Sequence, residues 1–112
     1  RIDGVLVKNS SGINLHGVIL EASLAGNKKS GGAIGVFNSH DLTVANCQII
    51  DPTHRALHLE NVTHAVINSN LVRDHGKSPT MQEAVLLTGK NDKLEFTGNL
   101  IDKGQRGDVV GI

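Results

Sequence analysis

The sequence has very few aromatic residues. Its 112 residues include two phenylalanines and no tyrosine or tryptophan, which excludes a compact core built on large aromatic side chains. The apolar residues are instead mainly valine, isoleucine and leucine, in short runs separated by glycine, asparagine, serine and aspartate. This composition favours short strands and turns, and no amphipathic helical pattern stands out.

Cysteine and net charge are also scarce. The single cysteine, Cys47, excludes an internal disulfide and leaves no cysteine-based metal motif, so we expect it to pack as a small apolar residue. Eleven basic and eleven acidic residues cancel, which leaves no basic patch for nucleic acid or anionic lipid. No apolar run is long enough to cross a bilayer, and no charged stretch followed by a hydrophobic segment and a cleavage site occurs, so we expect no secretory leader within these residues. We therefore expect neither nucleic acid nor a membrane as a partner.

The sequence repeats one pattern in four unequal copies. Each copy has two apolar residues in i, i+2 spacing, then a second such pair, then a third apolar position. The first pairs are Val5/Val7, Ile34/Val36, Leu57/Leu59 and Val85/Leu87, the second are Ile13/Leu15, Leu42/Val44, Ala65/Ile67 and Leu94/Phe96, and the third positions are Leu20, Ile49, Val72 and Ile101. Because i, i+2 residues share one face of a strand, each copy is predicted to be three short strands joined by turns.

Copies of this kind are the rungs of a solenoid, since three short strands cannot close a core alone. The sequence predicts an all-β parallel β-helix in one unit, residues 1–112, with a fifth copy starting at Val110/Ile112. The rungs are predicted near residues 5–33, 34–56, 57–84, 85–109 and 110–112. The final pattern is incomplete, so we expect a fragment whose partners include the neighbouring rungs of a longer parent chain. Asn70 and Asn99 precede the third strand in successive rungs and are expected to form a hydrogen-bonded ladder.

The stretches 34–50 and 94–101 resemble the repeat of the pectate-lyase-like superfamily of right-handed parallel β-helices, and the resemblance covers almost the whole chain. It implies a single-stranded right-handed solenoid that is secreted, periplasmic or at the cell surface. It also implies a polysaccharide partner and a substrate groove on the outer face of the first strand of each rung. The paired-Asp, Gly-His-Gly and Trp-Ile-Asp-His signatures of the better-known enzymes of the superfamily are absent from this sequence.

The outer columns at this face contain the candidate catalytic residues. The column two positions before the first inward residue of each rung contains Asp3, Gly32, Arg55, Glu83 and Asp108. In the functional interpretation Arg55 binds a carboxylate or a pair of hydroxyls, and His58 is the general base or acid. Glu83 and Asp108 are expected on adjacent rungs, where they could bind Ca²⁺ or act as two glycosidase carboxylates. Apart from this possible Ca²⁺, no cofactor is expected.

Other residues are expected to bind the substrate. Phe37 can stack on a sugar ring, and Gly35 and Gly111 leave room beside the strand. The remaining candidates are His54, Glu60, His75 and Lys77. The alternative interpretation is that Arg55 and Glu83 form an ion pair on a wet surface and that the histidines are merely solvated.

Two functions remain open at this stage. The leading hypothesis is a polysaccharide-processing segment that acts by β-elimination at a uronate or by hydrolysis. The alternative is a non-catalytic β-helix that binds carbohydrate or serves as an adhesin or tailspike-like structural element.

Overall fold

The computed structural model describes residues 4–75 and 80–111, and in this part of the chain every regular element is a β-strand. Accordingly, these residues contain no helix able to cross a membrane. The strands are β1 (Val5–Lys8), β2 (Ser11–His16), β3 (Ile19–Glu21), β4 (Ile34–Ala45), β5 (Gln48–Ile50), β6 (Leu57–Asn68), β7 (Leu71–Arg73), β8 (Glu83–Thr88), β9 (Asp92–Thr97), β10 (Leu100–Ile101) and β11 (Gly107–Gly111).

These strands form two parallel sheets stacked as in a β-helix. One sheet runs in the order β1-β4-β6-β8-β11, with β2 beside β4 and β9 beside β6, and the other in the order β10-β7-β5-β3. Each rung therefore hydrogen-bonds to the rungs before and after it, which is how a solenoid satisfies its backbone.

The register confirms the predicted repeat over the first four rungs. Val5 pairs with Ile34, Ile34 with Leu57, and Leu57 with Val85. The second and third apolar positions stack as Ile13, Leu42, Ala65 and Leu94, and as Leu20, Ile49, Val72 and Ile101. The three columns point into one interior, which is the core of the molecule.

The predicted start of the fifth rung is wrong by one residue. Val85 pairs with Val109, whereas Val110 pairs with Leu86 on the outer side. Both valines are apolar, so the sequence pattern does not distinguish them. As a consequence Gly107, and not Asp108, lies in register with Glu83.

The predicted turn between the first and second strands is a bend within one continuous strand in the two central rungs. In β4 the chain turns at Asn38 and Asp41, whose φ angles are 52° and 57°, and in β6 it turns at Asn61 and His64, at 54° and 56°. Asparagine and aspartate tolerate this left-handed conformation better than most residues. Pairing continues through the bend, at Ser39 with Val62, and beyond it, at Leu42 with Ala65.

Small and medium aliphatic side chains fill the interior. Leu20, Ile34, Val36 and Leu59 are fully buried, and Phe96 packs at the edge of the same cluster. The narrow space between the sheets accommodates branched aliphatic residues in stacked columns, which accounts for the near absence of aromatics. Cys47 is buried in this core, with its thiol 3.4 Å from the carbonyl oxygen of Ala45.

The predicted asparagine ladder is present at the turn before the third strand. Asn70 accepts a hydrogen bond at Oδ1 from the backbone N–H of Cys47 (2.9 Å) and donates from Nδ2 to Val44 O and Asn99 Oδ1, both at 3.0 Å. Asn99 repeats the pattern one rung later by donating to the carbonyl of Ile67. At the corner, the ladder provides acceptors for the backbone N–H groups of Cys47 and Asn70.

Replacement of Asn70 should test this ladder. We expect Asn70→Ala to lower the free energy of unfolding by about 1–3 kcal/mol, because it leaves the buried Cys47 N–H without its hydrogen-bond partner. The exposed Asn14 of β2 provides the matched control, and Asn14→Ala should change stability by less than about 0.5 kcal/mol. Equal effects of the two variants in urea unfolding would contradict a stabilising role for the ladder.

Candidate functional site

The long connection between β3 and β4 folds over the outer face of the first sheet. Within it, residues 25–32, which we call the wall loop, are organised by Asn27. Its Oδ1 accepts hydrogen bonds from the backbone N–H groups of Lys29 and Ser30, both at 2.9 Å. Gly26 and Gly31 have φ angles of 86° and 78°, which favour glycine. The wall loop has no ladder partners, so side chains must satisfy its inward backbone groups.

Arg55 supplies most of these contacts. Its Nη1 donates to the carbonyl oxygens of Asn27 (2.9 Å) and Gly31 (2.7 Å), and its Nη2 donates to that of Lys28 (2.6 Å). Its Nε donates to Glu83 Oε1 (3.0 Å). The guanidinium is fully buried, and a buried cation is tolerated because its donors are used in this way. Gly32 stacks over Arg55, and a Cβ there would lie 2.7 Å from Arg55 Cγ.

Glu83 provides the compensating charge and is likewise buried. Its Oε1 lies 2.9 Å from Arg55 Nη2, and its Oε2 lies 3.1 Å from Nη1 of the half-exposed Arg106. The second contact is an ion pair without hydrogen-bond alignment, since Oε2 accepts no hydrogen bond among the described residues. One carboxylate therefore joins the segment before β6 to the connection before β11.

His58 also lies beneath the wall loop. The backbone N–H of Gly31 donates to His58 Nδ1 (2.8 Å), and His58 Nε2 lies 2.7 Å from Thr88 Oγ1. Thr88 in turn donates to Glu60 Oε1 (2.9 Å). Because Nδ1 accepts from a backbone N–H, the imidazole is neutral and carries its proton on Nε2.

The surroundings of His58 disfavour its charged form. Burial lowers the pKa of His58 below its ordinary value, and the nearby Arg55 cation lowers it further. Glu60 and Glu83 act in the opposite direction, but they do not outweigh the first two effects. The neutral imidazole required by the hydrogen bonds is thus also the form that the electrostatics favour.

A cleft of about 600 Å³ opens between the wall loop and the outer face of β1 and β4. Leu6, Lys8, Gly35, Phe37 and Glu60 line its floor and sides. The Phe37 ring contacts the His58 ring edge to face, with centroids 5.1 Å apart and planes at 82°. This concave surface carries apolar, aromatic and charged groups together, as binding sites for small ligands do.

The structure corrects the open groove expected around Arg55, His58 and Glu83. These three side chains do share the predicted region, but the wall loop packs over Arg55 and His58, Glu83 pairs with Arg55 and Arg106, and each of the three is at most 1% exposed. Arg55 and Glu83 do form the ion pair of the alternative interpretation, although it is buried and not on a wet surface. The sequence pattern correctly placed these residues on the side of the sheet that faces away from the core. A side chain on that side is nevertheless buried when a loop packs over the strand.

The expected Glu83–Asp108 pair is also incorrect. Asp108 is exposed and, because of the shifted register, does not stack on Glu83. Glu83 already pairs with two arginines, which suits neither a Ca²⁺ ligand nor a glycosidase carboxylate. In residues 4–75 and 80–111, no group of three or more acidic, histidine or cysteine side chains is arranged to hold a metal ion.

The other candidate binding residues are divided between the cleft and other surfaces. Phe37 and Glu60 line the cleft, whereas His54 and His75 do not. His75 is half-exposed and lies 3.3 Å from Asp51 Oδ2, beyond the third strand. His54 is partly buried, and its Nδ1 has no hydrogen-bond partner among the described residues. Lys77 lies outside the described residues.

Sequence reasoning missed the wall loop itself. It placed the candidate binding residues His75 and Lys77 in a later connection, whereas Asn27 and Gly31 of the first long connection line the cleft. The signal was the glycine content of the first long connection, where Gly26, Gly31 and Gly32 occur close together.

Loss of Arg55 should uncouple the wall loop from the solenoid. We expect Arg55→Met to lower the free energy of unfolding by about 3 kcal/mol or more, because it leaves Glu83 and three carbonyls buried without this partner. The exposed Arg73 is the control, and Arg73→Met should change stability by less than about 0.5 kcal/mol. Urea unfolding measures both. A fully stable Arg55→Met variant would contradict the assigned role.

Comparison with known proteins agrees with this geometry. The family model described as the right-handed beta helix region matches residues 2–111. No curated protein and no solved structure gives a significant match. The matched family and the stacked parallel sheets agree over nearly the whole chain, and the chain belongs to the right-handed β-helix family.

Proposed function

We propose that this β-helix segment binds carbohydrate in the cleft beside the wall loop, as part of a protein that acts outside the cell. The observation that carries the proposal is the position of Phe37, which lines an open cleft next to the bare backbone of Gly35. An aromatic ring offers an apolar face to the C–H groups of a sugar, and polar neighbours can bind its hydroxyls.

Packing holds the Phe37 ring in this position. His58 contacts it on one side, and a Cβ at Gly35 would lie 3.0 Å from Phe37 Cε2 and 3.7 Å from Leu6 Cδ1. A side chain at position 35 would therefore displace the ring. A ring held in place in the free protein loses little entropy when a ligand stacks on it.

Polar groups line the same cleft as the Phe37 ring. Lys8 and Glu60 line the cleft from the two rungs on either side of Phe37. Asn27 and Asn38 add amide groups. Glu60 uses Oε1 to accept from Thr88, and a carboxylate has lone pairs for further donors. These residues supply both donors and acceptors, which a polyhydroxylated ligand requires.

Binding has more support than catalysis at this site. β-Elimination needs a base that reaches the substrate, and hydrolysis with retention needs two carboxylates at the bond to be cleaved. Among the described residues that line the cleft, Glu60 is the one carboxylate. Arg55, His58 and Glu83, the predicted catalytic residues, already make the internal contacts that hold the wall loop in place.

The proposal can be tested by screening the chain against immobilised uronate and neutral polysaccharides. For any saccharide that binds, Phe37→Ala should weaken binding about tenfold, which corresponds to about 1.4 kcal/mol. Leu100→Ala is the control, because Leu100 is 70% exposed on the opposite sheet and should have no effect. Calorimetry or NMR titration gives the dissociation constants.

Three results would count against the proposal. One is the absence of binding to every saccharide in the screen, and another is equal binding by the Phe37→Ala variant. The third is release of unsaturated products or new reducing ends, which would favour the catalytic alternative.

A further inference from the structure

We propose that His58 is a pH-sensitive contact that holds the wall loop in place when neutral and releases its Gly31 end when protonated. The inference adds regulation to the cleft, and its effect on ligand affinity rests on the proposed function. The contact itself is argued from the hydrogen bonds around the imidazole and can be tested without a ligand.

The first step concerns the direction of the hydrogen bond at Nδ1. A backbone N–H can only donate, so the 2.8 Å contact from Gly31 requires a lone pair on His58 Nδ1. Protonation would place a second N–H against the first. The closed arrangement and the protonated imidazole are therefore incompatible.

The other ring nitrogen, Nε2, cannot replace Nδ1 as the acceptor for the Gly31 N–H. Nε2–H donates to Thr88 Oγ1, and the Thr88 hydroxyl donates its proton to Glu60. Flipping the ring would not restore the Gly31 contact in the charged form, since both nitrogens then carry protons. The imidazolium can be accommodated only if Gly31 moves away.

Charged groups face His58 from several elements. Arg55 approaches from the segment before β6, Glu60 from β6 and Glu83 from β8. Lys8 of β1 lines the same cleft, while the Lys28 and Lys29 side chains of the wall loop are exposed. The pKa of His58 is lowered overall, first by burial and then by Arg55, against the two carboxylates.

The sign of the pH effect follows from this lowered pKa. When Gly31 has moved away, His58 regains an ordinary pKa of about 6.5. Below that pH the open form therefore binds more protons than the closed form. Acid therefore shifts the equilibrium toward the open form, and the shift continues until the pH falls below the pKa of the closed form. Each unit between the two pKa values changes the equilibrium about tenfold.

Two consecutive glycines lie at the end of the wall loop where this movement would occur. Gly31 and Gly32 are adjacent glycines before β4, and they can adopt backbone angles that other residues cannot. Gly26, Gly31 and Gly32 all line the cleft. A shift of Gly31 would thus change the shape of the cleft and weaken binding in acid.

Amide hydrogen exchange measured by NMR on the whole chain tests the inference. After correction for intrinsic rates, protection of the Gly31 amide should fall about tenfold or more between about pH 7.5 and about pH 5. The Ile34 amide donates to Ala56 O within the stacked rungs and should keep its protection. The NMR titration of the His58 ring should have the same midpoint as the change at Gly31, below about pH 6.5.

Variants assign the effect to His58. His58→Gln remains neutral at every pH and should show Gly31 protection that does not change with pH. His40→Gln is the control, because His40 is exposed, and it should retain the wild-type pH dependence. If His58→Gln does not fold, the wild-type titration of Gly31 and of the His58 ring decides the question.

The outcomes are distinct. Constant protection at Gly31, parallel loss at Gly31 and Ile34, or pH dependence retained in folded His58→Gln would each overturn the inference. For any saccharide that binds, its affinity should fall together with Gly31 protection. If no saccharide binds at any pH while Gly31 still opens in acid, the proposed function fails and the pH-sensitive contact stands.

Discussion

Parallel pairing of one rung on the next is the constraint on which the rest of this structure depends. Most of these strands have two to six residues. A strand of that length has too little apolar surface to be stable alone, and its backbone groups find partners in adjacent rungs. Once Ile34, Leu57 and Val85 are in register, every other position in the rung is fixed in a column. The columns determine which side chains meet, and so they determine both the core and the outer surface.

Where the chain leaves the stacked strands, hydrogen bonds from side chains replace the backbone hydrogen bonds between rungs. The corner before the third strand depends on Asn70 and Asn99, and the wall loop depends on Arg55 and His58. In each place a buried polar side chain bonds to backbone groups that no neighbouring strand can reach. Burial of the Arg55 charge is acceptable because Glu83 neutralises it and carbonyl oxygens take the remaining donors. The cleft lies between Phe37 and the glycine-rich loop that these contacts hold in place.

The sequence predicted much of the fold because apolar residues in i, i+2 spacing report directly on the inward columns. It failed at Val109 and Val110, where two adjacent valines give the pattern no preference and the preceding connection has no fixed length. The candidate site was predicted less well. Phe37 and Glu60 do line the cleft, because their positions in the outer columns place them on that face. The exposure of Arg55 and His58 could not be predicted, because it depends on the path of a loop, which periodicity does not encode.

The contrast between these residues bears on how outer columns of a β-helix are interpreted. An arginine or histidine that faces outward beside a long connection has two possible partners, the loop backbone and a ligand. The carbonyl and N–H groups of the loop lose their water when the loop packs against the sheet. They therefore need hydrogen bonds from the side chain even when no ligand is bound. Arg55 and His58 make all their described polar contacts within the chain, to the wall loop, Glu83 and Thr88, whereas Lys8 and Glu60 line the cleft. Outward polar residues therefore indicate a binding surface only after the backbone of the covering loop has been accounted for.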